Sequence, residues 1–468
     1  MSKTRTEHDL LGEREVPAGR YYGIQTLRAL ENFEITRIPI SHYAQFVEAL
    51  AYVKKAAALA NQQLGLLEAE VADAIAQACD EILAGQFREE FAVDAIQGGA
   101  GTSTNMNANE VIANRANEIL GGALGTYDRV HPNNHVNMSQ STNDVYPTAL
   151  RLALHMKLES LLTEMTALQG LFAQKGAEFA DVIKMGRTQL QDAVPMTLGQ
   201  EFEAYAVTIG EDIQRVMETQ SLIREINMGA TAIGTGLNAH PMYAALVTQK
   251  LRELTGVPVS KAANLVEATQ DTGAYVQLSG VLKRVATKLS KICNDLRLLA
   301  SGPRAGLGEI NLPRMAPGSS IMPGKVNPII PEVVNQVAFQ VIGNDVAVTM
   351  AAEAGQLELN VMEPLIAYNL FSSIDMLGRA CHTLGERCVR GITANREICR
   401  RNVENSIGLV TALNPLLGYE KSSEIAKEAL ETGGSVYEIV LQKGYLSQAE
   451  LEDLLKPENM TRPRYLHR

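Results

Sequence analysis

Two serines, a lysine and an asparagine stand close together in Gly318-Ser319-Ser320-Ile321-Met322-Pro323-Gly324-Lys325-Val326-Asn327-Pro328, just ahead of a helical pattern starting at Pro331. Backbone N–H groups at a helix start, together with the helix dipole, favour an anion. Lys325 adds a positive charge at the same place. A serine held among such donors has its alkoxide form stabilised and can serve as a base. The plain alternative is a Gly/Pro-rich surface loop. Most loops of this length are only that, but few of them pair two serines with Lys and Asn at a helix start.

Three other segments have compositions unusual for mere connectors. Gln140-Ser141-Thr142-Asn143-Asp144 opens a long helical pattern and reads about equally well as an N-cap or as a binding element, since a cap needs only one of these side chains. Gly101-Thr102-Ser103-Thr104-Asn105-Met106-Asn107 is a hydroxyl- and amide-rich loop after several glycines, where backbone can approach a ligand. Gly186-Arg187-Thr188-Gln189-Leu190-Gln191-Asp192-Ala193 reads as a loop between two long helices. The last two are weak signals alone. His135 lies nearest to a motif, but a lone loop histidine is more often a hydrogen-bonded structural residue, and it receives no role here. Charge runs such as Arg88-Glu89-Glu90 read as solvated faces.

The elements that must carry these segments are long helices. Leu150, Leu154, Leu158, Leu161, Leu162, Met165, Leu168 and Phe172 recur mostly at three- and four-residue steps, which marks an amphipathic helix between Asp144 and Ile183. Asn143 or Asp144 is expected to cap it, with Pro147 tolerated in the first turn. Similar patterns cover Leu198 to Asn227, Asp271 to Leu299 (Val281, Val285, Leu289, Ile292, Leu296) and Pro331 to Glu353 (Val333, Val337, Val341). Helices of roughly twenty to forty residues exceed the usual mean of about 11–12, and several in one chain point to an elongated bundle. The helix after Pro331 is apolar over most of its circumference, which suggests subunit packing. The first third mixes short helical patterns with Gly- and Asn-rich loops, and past Arg390 short helices are broken at Asn414-Pro415 and Gly433-Gly434. The expected division is an N-terminal domain over 1–142, a central helical bundle over 143–395 that carries the loop at 318–328, and a small C-terminal helical domain over 396–468.

The 468 residues are 46% apolar and 20% charged, ordinary for a folded soluble protein. A net charge of −11 argues against nucleic-acid or anionic-membrane partners and requires that any anion be met by a locally cationic pocket. Five cysteines without a Cys-x-x-Cys pair fit neither a disulfide framework nor a zinc site, so no metal is expected, and reduced thiols are. The charged start, Met1 to Pro17, has no apolar core of a signal peptide, and no apolar run reaches ~18 residues, so a cytoplasmic protein is expected.

Taken together, the four segments resemble the aspartase/fumarase superfamily. Gly318 to Pro328 has the form of that family's signature loop, and Gly98 to Asn109, Val136 to Asp144 and Gly186 to Gln200 look like its other active-site regions, in the expected order. The resemblance runs from Leu11-Gly12 and Tyr21-Tyr22-Gly23 to Ser406-Ile407-Gly408 and Asn414-Pro415. It implies a mostly α subunit of three domains, whose central long helices build a twenty-helix core of a homotetramer with active sites shared between subunits. It implies a reversible elimination from a succinyl-type substrate to fumarate through an aci-carboxylate, with no cofactor. Carried over by position, Ser319 matches the base that takes the Cβ proton; Lys325, Asn327 and Thr188 match the α-carboxylate contacts. Thr102, Ser141, Thr142 and Ser320 match the group around the β-carboxylate, and Asn143 matches a contact to the amino group. Gly318, Ile321, Met322, Pro323, Gly324 and Val326 complete the flexible signature loop.

One position departs from much of the family. Gln189 stands where fumarases carry a His that pairs with a Glu, here matched by Glu332, to handle water. Gln cannot titrate, whereas an ammonium group leaves as ammonia without an acid. Gln189 and the Ser141-Thr142-Asn143 run therefore favour an ammonia-lyase that takes L-aspartate to fumarate and ammonia. The nearest rival is a class II fumarase acting on L-malate. A non-catalytic protein retaining the fold would be expected to have lost Ser319, Lys325 or Asn327, and all three are present.

Overall fold

The computed structural model describes residues 3–462. An antiparallel hairpin, β1 (Thr4–Asp9) and β2 (Gly12–Pro17), opens the chain. The α-helices that follow are α1 (Ile24–Asn32), α2 (Ala44–Gln63), α3 (Ala69–Leu83), α4 (Thr102–Ile119) and α5 (Thr142–Glu178). A second antiparallel hairpin, β3 (Ile183–Thr188) and β4 (Gln191–Thr197), leads to α6 (Leu198–Leu222), α7 (Tyr243–Thr255), α8 (Leu265–Gln270), α9 (Gly273–Leu299), α10 (Ile329–Glu353) and α11 (Glu363–Arg387). Short helices from Arg396–Asn405 to Pro457–Met460 complete a mostly helical protein. Helices of 20, 15 and 18 residues in the first third are longer than its Gly- and Asn-rich texture suggested.

The chain forms two compact units. One takes the chain up to Leu162 with Gln214–Arg284 and Gln340–Leu377; the other takes Thr163–Ile213, Val285–Phe339 and the chain from Gly378.

In the first unit α2 packs against α3 and α7. Its buried face is built from Ala49, Leu50, Val53, Ala56, Ala57 and Ala60, and the many methyl-sized side chains let neighbouring helices come close. Buried Glu110 on α4 accepts the backbone N–H groups of Gly23, Gln25 and Thr26, at 2.8–3.0 Å, and the Thr26 hydroxyl at 2.7 Å. These are the open donors at the start of α1, so a carboxylate 84–87 residues away in sequence caps that helix.

The leucine stripe of α5 is buried as its spacing required, with only Leu162 half-exposed. The cap differs from expectation. Ser141 precedes the helix, its Oγ accepts the Asn143 N–H (3.3 Å), and its own N–H donates to the Asp144 carboxylate (2.9 Å). This is the reciprocal arrangement of a capping box, so Ser141 caps and Asp144 reaches back. Pro147 is the sixth residue of α5 and lies past the first turn. Its ring cannot donate to the carbonyl four residues earlier, that of Asn143, and the Asn227 side-chain amide does so instead at 2.9 Å.

In the second unit Met185, Val403, Leu409, Leu413, Ile425, Val436, Val440 and Leu451 form one buried cluster. On α10 the buried row is Val334, Ala338, Val341 and Val348, one register away from the expected Val333 and Val337. Val341 alone belongs to both rows. The register moved because α10 is apolar nearly all round, so its pattern marks no single face.

Candidate active site

In the second unit the chain from Gly318 to Asn327 folds on itself. The Gly318 N–H donates to the Lys325 carbonyl at 2.7 Å, and the Asn327 side-chain amide donates to the Gly318 carbonyl at 2.8 Å. Ser319 sits inside this closure, and its Oγ accepts the N–H groups of Ile321 (3.2 Å) and Met322 (2.9 Å). Two donors on one hydroxyl oxygen stabilise negative charge there, which is what a serine base needs. Ser320, Ile321, Met322, Pro323, Gly324, Lys325 and Val326 are exposed, and α10 starts two residues after Asn327. The carbonyl of Gly318 occupies the Asn327 amide donor, which leaves Asn327 Oδ1 as its acceptor, and the side chains of Ser320 and Lys325 are exposed.

Thr188 and Gln189, expected in a loop, occupy the tip of the β3–β4 hairpin in the same unit. Thr188 pairs with Gln191, and Gln189 and Leu190 form a two-residue turn with φ of 56° and 61°. Both positive values are those of a type I′ turn, the form that matches strand twist but disfavours side chains. The hairpin base is held by charge. Buried Glu309 lies 2.6 Å from Arg187 and 3.3 Å from Lys184, Lys184 also meets Glu201 at 2.7 Å, and Ser406 donates to Asp192 at 2.7 Å.

In the first unit Ser141, Thr142 and Asn143 stand at the N-terminus of α5. The Asn143 side-chain amide donates to the Ala232 carbonyl at 2.7 Å, which leaves Oδ1 as an acceptor suited to an ammonium. Thr102, expected in a loop, is the first residue of α4, and its hydroxyl donates to the Gly99 carbonyl at 2.8 Å. Gly101 just before it has φ 91°, and a Cβ there would meet the Tyr146 ring at 2.1 Å, so only glycine fits this approach of α4 to α5. Thus Thr102, Ser141, Thr142 and Asn143 belong to one unit, and Thr188, Gln189 and residues 318–327 to the other.

The structure adds residues that the motifs did not reveal. Lys54 on α2 is fully buried and donates to Asn105 Oδ1 (2.7 Å), Gln140 Oε1 (2.9 Å) and Asn137 Oδ1 (3.1 Å). Burial pushes its ammonium down to about 7, opposed by the charge of Asp144. Burial likewise raises Asp144 to about 6, although the N–H groups of Ser141, Thr231 and Gly229 favour its ionised form. A signal for Lys54 is present in the sequence: it interrupts the apolar row Val47, Leu50, Ala57 at helical spacing, where an unpaired charge is costly. His135, left without a role, accepts the His131 N–H on Nδ1 at 2.9 Å and shapes a loop.

The family described as Lyase matches residues 12–343, and that described as Fumarase C C-terminus matches residues 409–462. Aspartate ammonia-lyase of Helicobacter pylori is 61% identical over 459 residues, 98% of each chain. That of Escherichia coli is 55% identical over 462 residues, 98% of this chain and 97% of the relative. Among solved structures, a fumarate lyase:delta crystallin from Brucella melitensis superposes with a TM-score of 0.96 at 58% identity, covering 98% of this chain and all of that one. A class II fumarase from Schistosoma mansoni gives 0.93 at 38% identity over 99% of this chain and all of that one.

Proposed function

Because the chain belongs to the aspartase/fumarase family of lyases, we propose that it eliminates ammonia from L-aspartate by the serine chemistry of its signature loop. It is a carbon–nitrogen lyase, and fumarate is its carbon product. Near-complete coverage at 55–62% identity to aspartate ammonia-lyases is the observation that carries the substrate. In the proposed reaction Ser319, as alkoxide, takes the Cβ proton, electron density moves into the β-carboxylate to give an aci-carboxylate dianion, and collapse of the dianion expels ammonia from Cα. The two N–H groups on Ser319 Oγ support the assignment of the base. Lys325, Asn327 and Thr188 hold the α-carboxylate; Thr102, Ser141, Thr142 and Ser320 meet the β-carboxylate; Asn143 accepts from the leaving ammonium. Donors aimed at the dianion stabilise the transition state more than the ground state. Gln189, exposed at the hairpin tip, contacts substrate without exchanging protons with it.

The assembly belongs to the same proposal: a homotetramer whose sites combine segments from different subunits. Its support is α10, which leaves Val333, Phe339, Val346 and Met350 exposed by 43–66% on the single chain. A three-domain division with a small C-terminal domain from 396 is supported by the buried cluster drawn mostly from residues 403–455. Among the described residues, no helix is long and apolar enough to cross a membrane.

The purified protein should release fumarate from L-aspartate, add ammonia to fumarate in reverse, and handle L-malate poorly, all read from fumarate absorbance. Faster turnover of L-malate than of L-aspartate would overturn the reading in favour of a hydratase.

A further inference from the structure

A hydroxyl can donate to a carboxylate only if its proton is not already committed, and buried amides can present either end to it. The surroundings of Thr142 settle both points by chemistry. Lys54 Nζ donates and cannot accept, so the three side-chain atoms around it must all be oxygens. That fixes Asn105 with Oδ1 on Lys54 and Nδ2 turned away, 3.3 Å from Thr142 Oγ1. The same Nδ2 lies 3.1 Å from Asn137 Oδ1, which also accepts from Asn109 Nδ2 at 3.1 Å. Gln140 is locked alike: Oε1 on Lys54, Nε2 donating to the carbonyls of Val136 and Met138. Every amide in the cluster therefore points one way.

We propose that Lys54 is a positioning residue that sets the polarity of Thr142: Lys54 orients the Asn105 amide, Asn105 donates to the Thr142 hydroxyl oxygen, and Thr142 is left with its proton to donate to the substrate's β-carboxylate. Among the described residues the Thr142 hydroxyl donates to nothing, while its oxygen is already occupied by Asn105. Without the cation, Asn105 is free to turn over and offer Oδ1, which takes the Thr142 proton and removes a donor from the dianion. Three amide oxygens also need three N–H groups, which only the ammonium form of Lys54 supplies. Neither Lys54 (fully buried) nor Asn105 (2% exposed) is placed to touch substrate; both act through Thr142.

The inference rests on Thr142 binding the β-carboxylate, so its test uses the whole enzyme and separates the two ideas. Asn105→Asp keeps the shape and gains an ion pair to Lys54, yet its carboxylate can only accept, so it must take the Thr142 proton. We expect kcat/KM for L-aspartate to fall roughly 10²-fold, the scale of a lost transition-state donor, with a lower thermal midpoint because the second carboxylate oxygen then faces Asn137 Oδ1 where the amide donated. Combined with Thr142→Val, the second loss should be small, because the hydroxyl whose polarity is at stake has gone. Lys54→Gln, run through the same cycle, serves if Asn105→Asp does not fold; there too the loss should vanish against Thr142→Val. An Asn105→Asp enzyme within about twofold of wild type, or losses that multiply in full, would overturn the proposal. A wild-type protein inactive on L-aspartate would instead sink the functional reading and not this one.

Discussion

Ser319 and Ser320 are neighbours of identical chemistry, and only their surroundings tell them apart. Ser319 Oγ receives two backbone N–H groups inside the folded loop, while Ser320 is exposed. An oxygen so held carries negative charge more readily. Ser319→Ala should therefore lower kcat by roughly 10²–10⁴-fold, the scale of a lost general base, with little change in substrate binding. Ser320→Ala should mainly raise KM. Hydrogen exchange at Cβ, followed by NMR in deuterated water, checks the role directly, and exchange at wild-type rate in Ser319→Ala would remove Ser319 as the base. The adjacency was plain in the sequence, but the allocation came from the family resemblance, because composition cannot say which hydroxyl a backbone will surround.

At the scale of elements, the tip of β3–β4 places two ordinary side chains in left-handed backbone. Each such residue costs about 1–2 kcal/mol relative to right-handed forms, and glycine escapes most of this. Leu190 is 69% exposed, so Leu190→Gly forfeits little burial and should stabilise the protein by about 0.5–1 kcal/mol, seen as a higher thermal midpoint. A lower midpoint would show that the Leu190 side chain is covered in the assembled enzyme. The first residue of α11 makes a second prediction. Burial raises the Glu363 carboxyl to about 8, with Arg151 opposing. The folded chain then keeps a proton that the unfolded chain releases near pH ~4.3, so stability is full below that value and is lost as pH rises through about 8. Glu363→Gln, which mimics the protonated form, should lose less thermal midpoint than wild type between pH 5 and 8. An equal loss in both would mean that the carboxyl is ionised in the folded state throughout.

At the scale of the whole molecule, the proposed site residues fall into two compact units, and Ser141–Asn143 stand at the N-terminus of the 37-residue α5 while Thr188 lies beyond its C-terminus. At 1.5 Å per residue such a helix is about 55 Å long, which is why segments of different subunits are proposed to meet. Mixing inactive Ser319→Ala and Thr142→Ala proteins, with subunit exchange, should restore part of the activity through hybrid tetramers. A fully active monomer by sedimentation would end that proposal. The apolar belt of α10 contributes the same expectation from packing, since Phe339 and Met350 are two-thirds exposed on the single chain.

Periodicity alone locates α5, α6, α9 and α10, though not α2 or α11, and the stripe of α5 from Leu150 to Phe172 falls where its three- and four-residue steps require. The motifs likewise marked each segment of the proposed site, because hydroxyls, amides and a lysine gathered beside glycines serve no packing purpose. What the sequence could not decide was anything set by a partner distant along the chain. The segment 186–193 reads as a loop, and not as part of a hairpin over 183–197, because its turn at Gln189-Leu190 lacks the usual glycine. The register of α10 slipped because a helix apolar on all sides has no preferred face. The cap of α1 by Glu110, the relief of Pro147 by Asn227 and the amide cluster around Lys54 each join residues 51 to 87 positions apart. Local pattern reports what a segment prefers, but the direction in which a buried amide points is fixed only when tertiary folding brings a donor-only cation against it.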